Sequence, residues 1–533
     1  MSAVPAPFIK KGNFMFKVFL LFILAVPCFA ADMHFLIMPD AVIGPISPYI
    51  YGLNDQDPTG TGATIRRLGG NRLTGYNWVN NASNAGSDYK HNSDDWLCKD
   101  HLHGTNCDQP AAAITDFVEQ NLKAGMDSLI TVPMAGYVAA DKNGEVLESE
   151  KAPSSRWKPI SFLKKGRYTL EPNPKSKVVY EDEFVNYLVQ QLHLASEGGV
   201  KFYALDNEPD LWSETHPRIH PAKTTYAEMI NKSEGLAYGI LKADPTAMIF
   251  GPASYGWSGF LSLQAAPDSA AINQTAGTFL DYYLDQMNSV EKKVHKRLLH
   301  VLDVHWYPEA QGGGKRITDN DITPASIEAR LQAPRSLWDP SYMEKSWIAD
   351  SYKEPIRLIP WLQEKITKHY PGTKIAISEY DYGAGDHISG GLAQADVLGI
   401  FGKNGVFMSS YWGDLKPYNK AALQIYRNYD GKNSAFGDTA ISAAGEDITQ
   451  TSIYASTDSK HKGVLWVLVI NKNQTNSMSG KFKIQGQTSY KTYATYGFNA
   501  KSSAIQALKT GNLNQNQFEY SLAPLSATLF VCN

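Results

Sequence analysis

The chain has 533 residues, more than one hydrophobic core usually serves, so we expect a large domain with a smaller companion. Its formal net charge is −3 and its lysines and arginines are spread along the sequence, which argues against a nucleic-acid partner and favours an uncharged one. Aromatic residues make up 11% of the chain, which suits either a surface that stacks on flat ligands or an ordinary core.

The N-terminal segment is typical of a secretory signal. Three lysines precede an apolar run at residues 18–29, and small residues follow that run. We therefore predict that residues 1–31 are a signal peptide and that the protein is secreted or periplasmic. The run is too short for a stable membrane span. A lipid anchor at Cys28 is an alternative that Pro27, directly before it, disfavours.

Three cysteines remain after that segment, and two interpretations of them are open. In an oxidising compartment, Cys98 and Cys107 close a small disulfide loop and leave Cys532 free. Alternatively, both thiols and the imidazoles of His101 and His103 bind a zinc ion. Neither arrangement predicts a catalytic centre.

Beyond residue 48 the sequence alternates apolar runs of strand length with patterns of helical spacing. The strand-length runs are residues 49–53, 64–68, 128–132, 202–205, 248–250, 302–306, 374–378 and 406–411. Clear helical patterns occupy residues 226–242, 279–293, 356–369, 392–402 and 418–429. This alternation predicts an α/β fold, a (β/α)8 TIM barrel over residues 49–431, with its active site at the carboxyl ends of the strands. We expect the polar insertion at residues 140–177 to form one wall of the cleft.

The pattern changes after residue 431. Short strand-like runs separated by Asn, Ser and Gly turns occupy residues 463–470, 480–484, 490–496, 518–522 and 527–531. They predict a smaller all-β sandwich domain over residues 432–533. We expect residues 32–48, with a strand near 34–38, to join this sandwich.

Two glutamates end apolar runs in the predicted barrel. Glu208 follows the fourth run and is itself followed by Pro209, which stops regular pairing, and Glu379 follows the seventh run. Strands four and seven lie roughly across such a barrel, so the two carboxyls can face each other over a gap wide enough for a sugar ring. A lone strand-end carboxylate is more often a helix cap or surface charge, so the prediction depends on the pair.

Paired carboxyls are the groups that cleave an acetal between sugars. One must be protonated to assist the leaving oxygen, and the other must be ionised to attack the sugar carbon or to position water. In the retaining geometry the carboxyls lie about 5–5.5 Å apart. Their environments must therefore push their pKa values in opposite directions. Spacing in the sequence alone does not assign the two roles.

Several motifs in this chain are similar to those of glycoside hydrolase family 44. They are RRLGGN at residues 66–71, TVPMAG at 131–136, LDNEPDLW at 205–212, THPRIHP at 215–221, DVHWYP at 303–308 and ISEY at 377–380. The resemblance extends over nearly all of the chain beyond the signal segment, and it includes a barrel followed by a small β-sandwich.

The resemblance implies a retaining, endo-acting β-1,4-glucanase that acts on plant cell-wall glucans, often best on xyloglucan, and on soluble cellulose derivatives. It implies that Glu208 is the general acid/base and Glu379 the nucleophile. It also implies that Asn207 hydrogen-bonds the 2-hydroxyl of the sugar beside the nucleophile, a contact that strengthens in the transition state. Catalysis is expected to need no cofactor. Some members bind a structural calcium ion, whose ligands the motifs do not identify.

Five other residues are candidates for substrate binding. His305 and Tyr307 follow the sixth run, where they could contact the nucleophile or the substrate, or be core residues. Trp412 follows the eighth run and could form a floor under a sugar, and Trp212 is a second such candidate. Arg67 could brace the nucleophile or pair with another carboxylate in the barrel mouth.

The remaining candidates have evenly balanced interpretations. Trp257 suits either stacking or packing, while the proline-flanked His216 and His220 could bind a metal but are expected instead to shape a loop. We expect a monomer whose partner is a β-glucan. Two alternative functions remain open: an exo-acting retaining glycosidase on xylose or arabinose units, and a non-catalytic glycan-binding protein.

Overall fold

The structure is a computed structural model that describes residues 31–104 and 106–533. The predicted signal peptide, apart from its last residue, and Cys28 lie outside the described residues. Within these ranges no helix is both long and apolar enough to cross a membrane.

Eight parallel strands close into a barrel, which confirms the predicted fold. Barrel strands 1 to 8 are, in chain order, Gly52–Leu53, Ile65–Leu68, Asp127–Val132, Phe202–Leu205, Met248–Ser254, Val301–Trp306, Lys374–Tyr380 and Met408–Tyr411. Strand 8 pairs in parallel with strand 1, which closes the cylinder. Phe202, Phe250 and Met408 fill its interior, and each such side chain stabilises the fold by roughly 1.5–3 kcal/mol through burial.

Some strand ends differ from the predicted ones. Strand 1 is shorter, because Pro48–Ile50 forms a 3₁₀ turn that Pro48 opens and the Ser47 hydroxyl caps. Strand 7 is longer than residues 374–378 and continues to Tyr380. Glu379 therefore lies within the strand rather than just beyond it.

Helices alternate with the barrel strands and cover their outer face. The α-helices are Asn71–Thr74, Ala112–Lys123, Glu181–Leu192, Trp212–Thr215, Tyr226–Ala243, Trp257–Ser262, Ser269–Ala276, Phe279–Val294, Pro324–Gln332, Trp347–Tyr352, Leu358–His369, Ile388–Lys403 and Pro417–Arg427. Side-chain caps begin several of them; for example, the Thr278 hydroxyl accepts the Asp281 N–H in a capping box at the start of Phe279–Val294. The helix predicted at 392–402 begins earlier, at Ile388, after the capping residue His387.

Shorter elements decorate the barrel loops. The 3₁₀ turns beyond Pro48–Ile50 are Gly86–Tyr89, Glu148–Glu150, Ala195–Glu197, Pro209–Leu211, Ile317–Asp319 and Ala333–Leu337, and a single π turn spans Leu97–His101. The short strands are Ser83–Asn84, Asn92–Asp94, Tyr137–Ala139, Gly144–Glu145, Trp157–Ser161, Val179–Tyr180, Gln311–Gly312 and Lys315–Arg316. The insertion at residues 140–177 is therefore partly ordered into a small sheet, in which Trp157–Ser161 lies between Tyr137–Ala139 and Val179–Tyr180.

The second domain is a single nine-stranded sheet. Its strands are, in spatial order, Ser502–Asn512, Thr492–Asn499, Ser526–Cys532, Leu465–Asn471, Thr451–Thr457, Thr439–Gly445, Ala31–Pro45, Met478–Ile484 and Gln517–Leu522. The rings of Tyr493 and Phe518, from strands near opposite ends of this order, lie 4.7 Å apart. The predicted all-β domain is thus a sheet curled almost closed upon itself. The domain boundary between residues 431 and 432 stays a prediction.

A buried polar contact joins the two domains. Asp396, on the helix Ile388–Lys403, forms an ion pair of 2.8 Å with Lys472 and accepts a hydrogen bond of 2.5 Å from the Tyr454 hydroxyl. All three side chains are almost fully buried. Separation of the sheet from the barrel would leave a buried charge without its partner, which is strongly unfavourable, so this ion pair fixes the sheet against the barrel.

The cysteines adopt the first of the two predicted arrangements. Cys98 and Cys107 are joined by a disulfide, and Cys532 is a free, buried thiol. The zinc alternative is therefore wrong, because a disulfide leaves no thiolate for a metal.

Candidate active site

Glu208 sits on a tight turn at the carboxyl end of barrel strand 4. Asp206 and Glu208 both have positive φ angles, 64° and 44°, a conformation that non-glycine residues rarely adopt. Pro209 then opens the short turn Pro209–Leu211. The Glu208 N–H donates to the carbonyl oxygen of Ala253 at 3.0 Å, which ties the turn to strand 5.

A buried carboxylate supports this unusual backbone. Asp206 accepts hydrogen bonds from the backbone N–H groups of Met134 and Ala135 at 2.5 and 3.0 Å, and from the Thr74 hydroxyl at 2.5 Å. Strained φ angles persist only where the surroundings over-determine them. Asp206 is that support, and it presents Glu208 towards the barrel axis.

Glu379 approaches from the opposite wall of the barrel. It lies near the end of strand 7, where a register shift places it directly beside His305 of strand 6. Arg67, from strand 2, donates to one Glu379 carboxylate oxygen at 2.7 Å, and the Tyr307 hydroxyl donates to the other at 2.7 Å. Both oxygens are thus held by donors that favour the ionised form.

Arg67 is the centre of a buried polar cluster. Its guanidinium also donates to the side-chain oxygens of Asn207 at 2.7 Å and of Asn54 at 3.0 Å. The Arg67 side chain is fully buried. Its planar fork therefore fixes three groups from three different strand ends at once.

His305 stands between the two glutamates. Its Nδ1 lies 2.8 Å from Oε1 of Glu208 and 3.4 Å from Oε2 of Glu379. One ligand atom of each of these three residues lies within 4.8 Å of the others, so the two carboxyls are close enough for a direct double displacement. Inverting enzymes, which place a water between the carboxyls, need a separation of about 6.5–9.5 Å.

The two glutamates have pKa values shifted in opposite directions. Burial and the neighbouring charge of Glu379 raise the pKa of Glu208 above its usual value, although His305 opposes the shift. Burial would also raise the pKa of Glu379, but the positive charges of His305 and Arg67 and the hydrogen bond from Tyr307 lower it below its usual value. Glu208 is therefore the group suited to carry a proton and Glu379 the one suited to attack.

The two carboxyls favour the protonated, positively charged form of His305. Burial would lower the pKa of His305, but the two adjacent carboxyls raise it above its usual value. Among the described residues, Glu208, His305 and Glu379 also have the spacing of a metal-ligand set. We do not identify them as metal ligands, because Arg67 and Tyr307 already occupy both Glu379 oxygens and the guanidinium would repel a cation there.

A cleft of about 1050 Å³ lies among the loops that follow barrel strands 1, 2 and 8. Its lining residues are Asp55, Gln56, Asp57, Gly69, Gly70, Asn71, Arg72, Leu73, Ala85, Asp88, Tyr89, Asp94, Trp96, Leu97, His101, Trp412, Gly413, Asp414, Leu415 and Lys420. Trp412 is half-buried there, next to Gly70. Asn71 connects the cleft to the catalytic pair, because its side-chain oxygen lies 3.4 Å from the Asn207 amide nitrogen.

The cleft wall differs from the expected one. None of the described residues in the insertion 140–177 lines this space. The segments that follow barrel strands 1, 2 and 8 line it instead.

Trp212 does not lie where a substrate-stacking residue would. Its side chain is fully buried, and its indole N–H donates to the Asn207 carbonyl oxygen at 3.2 Å. A ring without an exposed face cannot stack on a sugar, so we correct its role to support of the turn that carries Asn207 and Glu208. Trp257 is likewise buried, 5.0 Å from the ring of Trp361.

The two histidines after this turn serve the loop. His220 lies 2.8 Å from a Glu228 oxygen, and His216 is buried, with a pKa that burial lowers to about 3. They do not form a shared ligand set among the described residues.

Three residues near the site were not among the predicted ones. Asn54 follows strand 1, Asp303 is buried in strand 6, and Asp210 lies two residues after Glu208. One carboxyl oxygen of Asp303, Oδ2, accepts a hydrogen bond of 2.9 Å from the Ser378 hydroxyl. Only the DVH motif and the position of Asp210 beside Glu208 hinted at two of them, and nothing in the sequence marks Asn54.

Comparison with known proteins places this geometry among glycoside hydrolases. A family model described as Glycoside hydrolase family 44 matches residues 82–310. The chain is 49% identical over 506 residues to endoglucanase A of Paenibacillus lautus, covering 93% of this chain and 72% of that protein. It is 47% identical over 484 residues to a beta-mannanase/endoglucanase A of Caldicellulosiruptor saccharolyticus, covering 88% of this chain and 36% of that protein. A Paenibacillus polymyxa family 44 xyloglucanase, solved with xyloglucan, superposes with a TM-score of 0.92 at 45% identity over 94% of this chain and 99% of that one.

Proposed function

Because this chain belongs to glycoside hydrolase family 44, we propose that it cuts β-1,4-linked glucans internally and with net retention of configuration. The observation that carries the proposal is the short distance between the carboxyls of Glu208 and Glu379, within 4.8 Å, together with their opposite pKa shifts. In this proposal Glu208 is the general acid/base and Glu379 the nucleophile.

The first step forms a covalent intermediate. Glu379 attacks the anomeric carbon while Glu208 gives its proton to the departing glycosidic oxygen, so that the bond to the leaving chain breaks as the ester bond forms. Arg67 and Tyr307 keep Glu379 ionised beforehand and fix the direction of its lone pairs. Once Glu379 has become a neutral ester, the raised pKa of Glu208 falls and prepares Glu208 for the second step.

The second step releases the sugar. Glu208, now ionised, takes a proton from a water molecule, whose oxygen attacks the same carbon and displaces Glu379. Asn207 holds the 2-hydroxyl in both steps. Arg67 donates to its side-chain oxygen, and one amide N–H points to Asn71 at 3.4 Å, so the other amide N–H is the donor assigned to the substrate.

An open cleft supports internal cutting. A space of about 1050 Å³, lined by Asn71 next to Asn207, is larger than one sugar unit needs, so several units of a polymer can bind together. Trp412 offers an aromatic face to one of them. The xyloglucan in the P. polymyxa structure makes branched glucan the first substrate to test. This geometry favours the endo mode over the exo alternative.

Product analysis tests the mode of cutting. The purified enzyme is incubated with xyloglucan, carboxymethyl cellulose, mixed-linkage glucan and xylan, and viscosity is followed together with reducing ends. We expect viscosity to fall steeply while few reducing ends appear. Release of monosaccharide from the start would contradict the endo mode, and an absence of new reducing ends on all four polymers would favour a binding protein.

Two variants test the residue roles. Glu379→Gln should abolish turnover of every substrate, because no carboxylate remains to attack. Glu208→Gln should lower kcat/KM severely on natural glycans but spare kcat/KM on aryl glycosides whose leaving group departs without protonation, because kcat/KM reports the first step. Equal loss on both substrate types would remove Glu208 from the acid role. Product configuration, read by proton NMR in the first minutes, should be retained.

Export and independence from cofactors are further parts of the proposal. The disulfide between Cys98 and Cys107 supports an oxidising destination for the chain. The two glutamates supply the proton and the nucleophile that the reaction requires. We therefore expect a chelator to leave the initial rate unchanged, and any loss of thermal stability in its presence would reveal a structural calcium ion.

A further inference from the structure

Asp210 is a buried carboxyl close to Glu208 that the mechanism above does not use. It lies two residues after Glu208 and is 3% exposed. One of its oxygens accepts a hydrogen bond of 2.5 Å from the Ser254 hydroxyl, and the same oxygen lies 3.1 Å from the Tyr255 N–H donor. Buried carboxyls are rare unless paired with a cation, whereas Asp210 is held by a hydroxyl and a backbone N–H.

The partners of Asp210 belong to the segment that also holds Glu208. Ser254 ends barrel strand 5 and Tyr255 follows it, while the residue before them, Ala253, accepts the Glu208 N–H at 3.0 Å. The turn that carries Glu208 is therefore bonded to one short segment at two points, once through its own backbone and once through the Asp210 carboxyl.

The carboxyl has little freedom to move. A methyl group added at Gly259, in the helix Trp257–Ser262, would stand only 1.9 Å from an Asp210 oxygen. The helix thus approaches the carboxyl as closely as a glycine permits. Asp210 is held between this helix and the end of strand 5, so its charge stays at a fixed place relative to Glu208.

We propose that Asp210 is a positioning residue for Glu208, which fixes the turn on strand 5 and, when ionised, keeps the proton on Glu208 to higher pH. This inference rests on the proposed acid role of Glu208. A fixed negative charge beside a carboxyl disfavours loss of its proton, so a charged Asp210 widens the pH range in which Glu208 can protonate the leaving oxygen.

Burial makes Asp210 titrate near neutral pH. Burial raises the pKa of Asp210 to about 7, the Ser254 hydrogen bond opposes the rise, and the charge of Glu208 adds to it. Tyr255, the residue after strand 5, donates its N–H to Asp210, and the charges of Asp210 and Glu214 both act on its phenol.

The charged groups around Glu208 are not the groups that hold Asp210. They are His305, Glu379 and Arg67, together with the phenol of Tyr307. None of these groups bonds Asp210, so removal of the Asp210 charge leaves their contacts in place.

The test is the pH dependence of kcat/KM on a natural glucan for Asp210→Asn, which keeps the shape but not the charge. We expect the alkaline limb to move to lower pH, so that activity at pH 8 relative to pH 5 falls by about fivefold compared with the parent enzyme. The acid limb, which Glu379 governs, should not move. Superposable profiles for variant and parent would overturn the proposal.

Two further variants separate charge from structure. Ser254→Ala removes a donor that favours ionised Asp210, so the alkaline limb should move in the same direction by a smaller amount. Glu214→Gln is the matched control, because it removes an exposed carboxyl from the same segment, and its profile should overlay that of the parent. If Asp210→Asn fails to fold, an unmoved limb in Ser254→Ala is enough to refute the inference.

The leaving group distinguishes failure of this inference from failure of the proposed function. With an aryl glycoside that needs no protonation, Asp210→Asn should leave the alkaline limb of the first step unmoved. If Glu208→Gln leaves natural glucans fully cleaved, the acid role itself is wrong. If Glu208→Gln behaves as expected but Asp210→Asn moves nothing, only the role of Asp210 is wrong.

Discussion

Removal of one hydroxyl, by Tyr307→Phe, should weaken the nucleophile most at low pH. The Tyr307 hydroxyl donates to Glu379 at 2.7 Å in a buried site, and it is one of three groups that hold the pKa of Glu379 below its usual value. Phenylalanine fills the same space without the donor. The pKa of Glu379 should therefore rise. Because Glu379 must be ionised to attack, the variant should lose activity at a higher pH than the parent as the solution is made more acidic.

The magnitude follows from the kind of hydrogen bond that is lost. A bond to a charged group contributes about 1.5–3 kcal/mol, which corresponds to about a tenfold to hundredfold change in rate. We expect a loss of kcat/KM in this range at pH 5. The loss should be smaller at pH 7, where Arg67 and His305 still keep Glu379 ionised and only its orientation suffers.

The assay is the pH profile of kcat/KM on a soluble glucan, with Tyr380→Phe as the matched control. Tyr380 is the next residue after Glu379 and is also buried, but its hydroxyl accepts a hydrogen bond of 2.7 Å from Gln394 rather than contacting Glu379. The acid limb should move to higher pH in Tyr307→Phe alone. A loss that is equal at every pH, or a matching shift in the control, would refute the electrostatic role of Tyr307.

Three further predictions concern stability. Arg67→Met removes the hydrogen-bond donor of three buried side chains and should lower the free energy of unfolding, measured with urea, by about 3–5 kcal/mol. An unchanged urea midpoint would show that these three side chains find other partners. Cys98→Ser with Cys107→Ser opens a short loop and should cost roughly 2–3 kcal/mol, with the purified parent under reducing conditions as the comparison. Asp210→Asn should become more stable relative to the parent as pH rises. The folded-state pKa of Asp210 is raised to about 7, so the contribution of Asp210 to the free energy of unfolding is full below about pH 4 and is lost as pH rises through 7. The stability difference between variant and parent should therefore change by up to about 4 kcal/mol over this range. A constant difference between pH 4 and pH 8 would contradict that sign.

The glutamate pair was predictable because each residue lies in a local pattern that sequence alone displays. Glu208 follows a four-residue apolar run and precedes proline, and Glu379 ends the seventh of eight runs in an alternating chain. The count of runs then placed them across one barrel. The exact end of strand 7 was not predictable, because Glu379 and Tyr380 are polar-tipped residues that continue the strand only through pairing with His305 and Trp306.

The sequence offered Arg67, His305 and Tyr307 as contacts of the nucleophile, each beside a packing or pairing alternative, and it could not decide between them because the partners are far apart in the chain. Arg67 and Glu379 are separated by 312 positions, and Asn54 joins them only because strands 1, 2 and 7 meet at one end of the barrel. For Trp212 the sequence allowed two roles and could not choose between them. A tryptophan beside a catalytic motif suits both stacking and packing, and only the depth of burial decides between them.

The opposite pKa shifts of the two glutamates result from the positions of the groups that donate hydrogen bonds to them. Both carboxyls are desolvated, which alone would raise both pKa values. Arg67 bonds Glu379 and not Glu208, and Tyr307 does the same, while His305 is shared. The asymmetry therefore depends on strand 2 and on the residue after strand 6, not on the glutamates themselves. A variant that weakens these donors should bring the two pKa values together and narrow the pH profile from its acid side. Loss of the Asp210 charge should narrow the profile independently from its alkaline side.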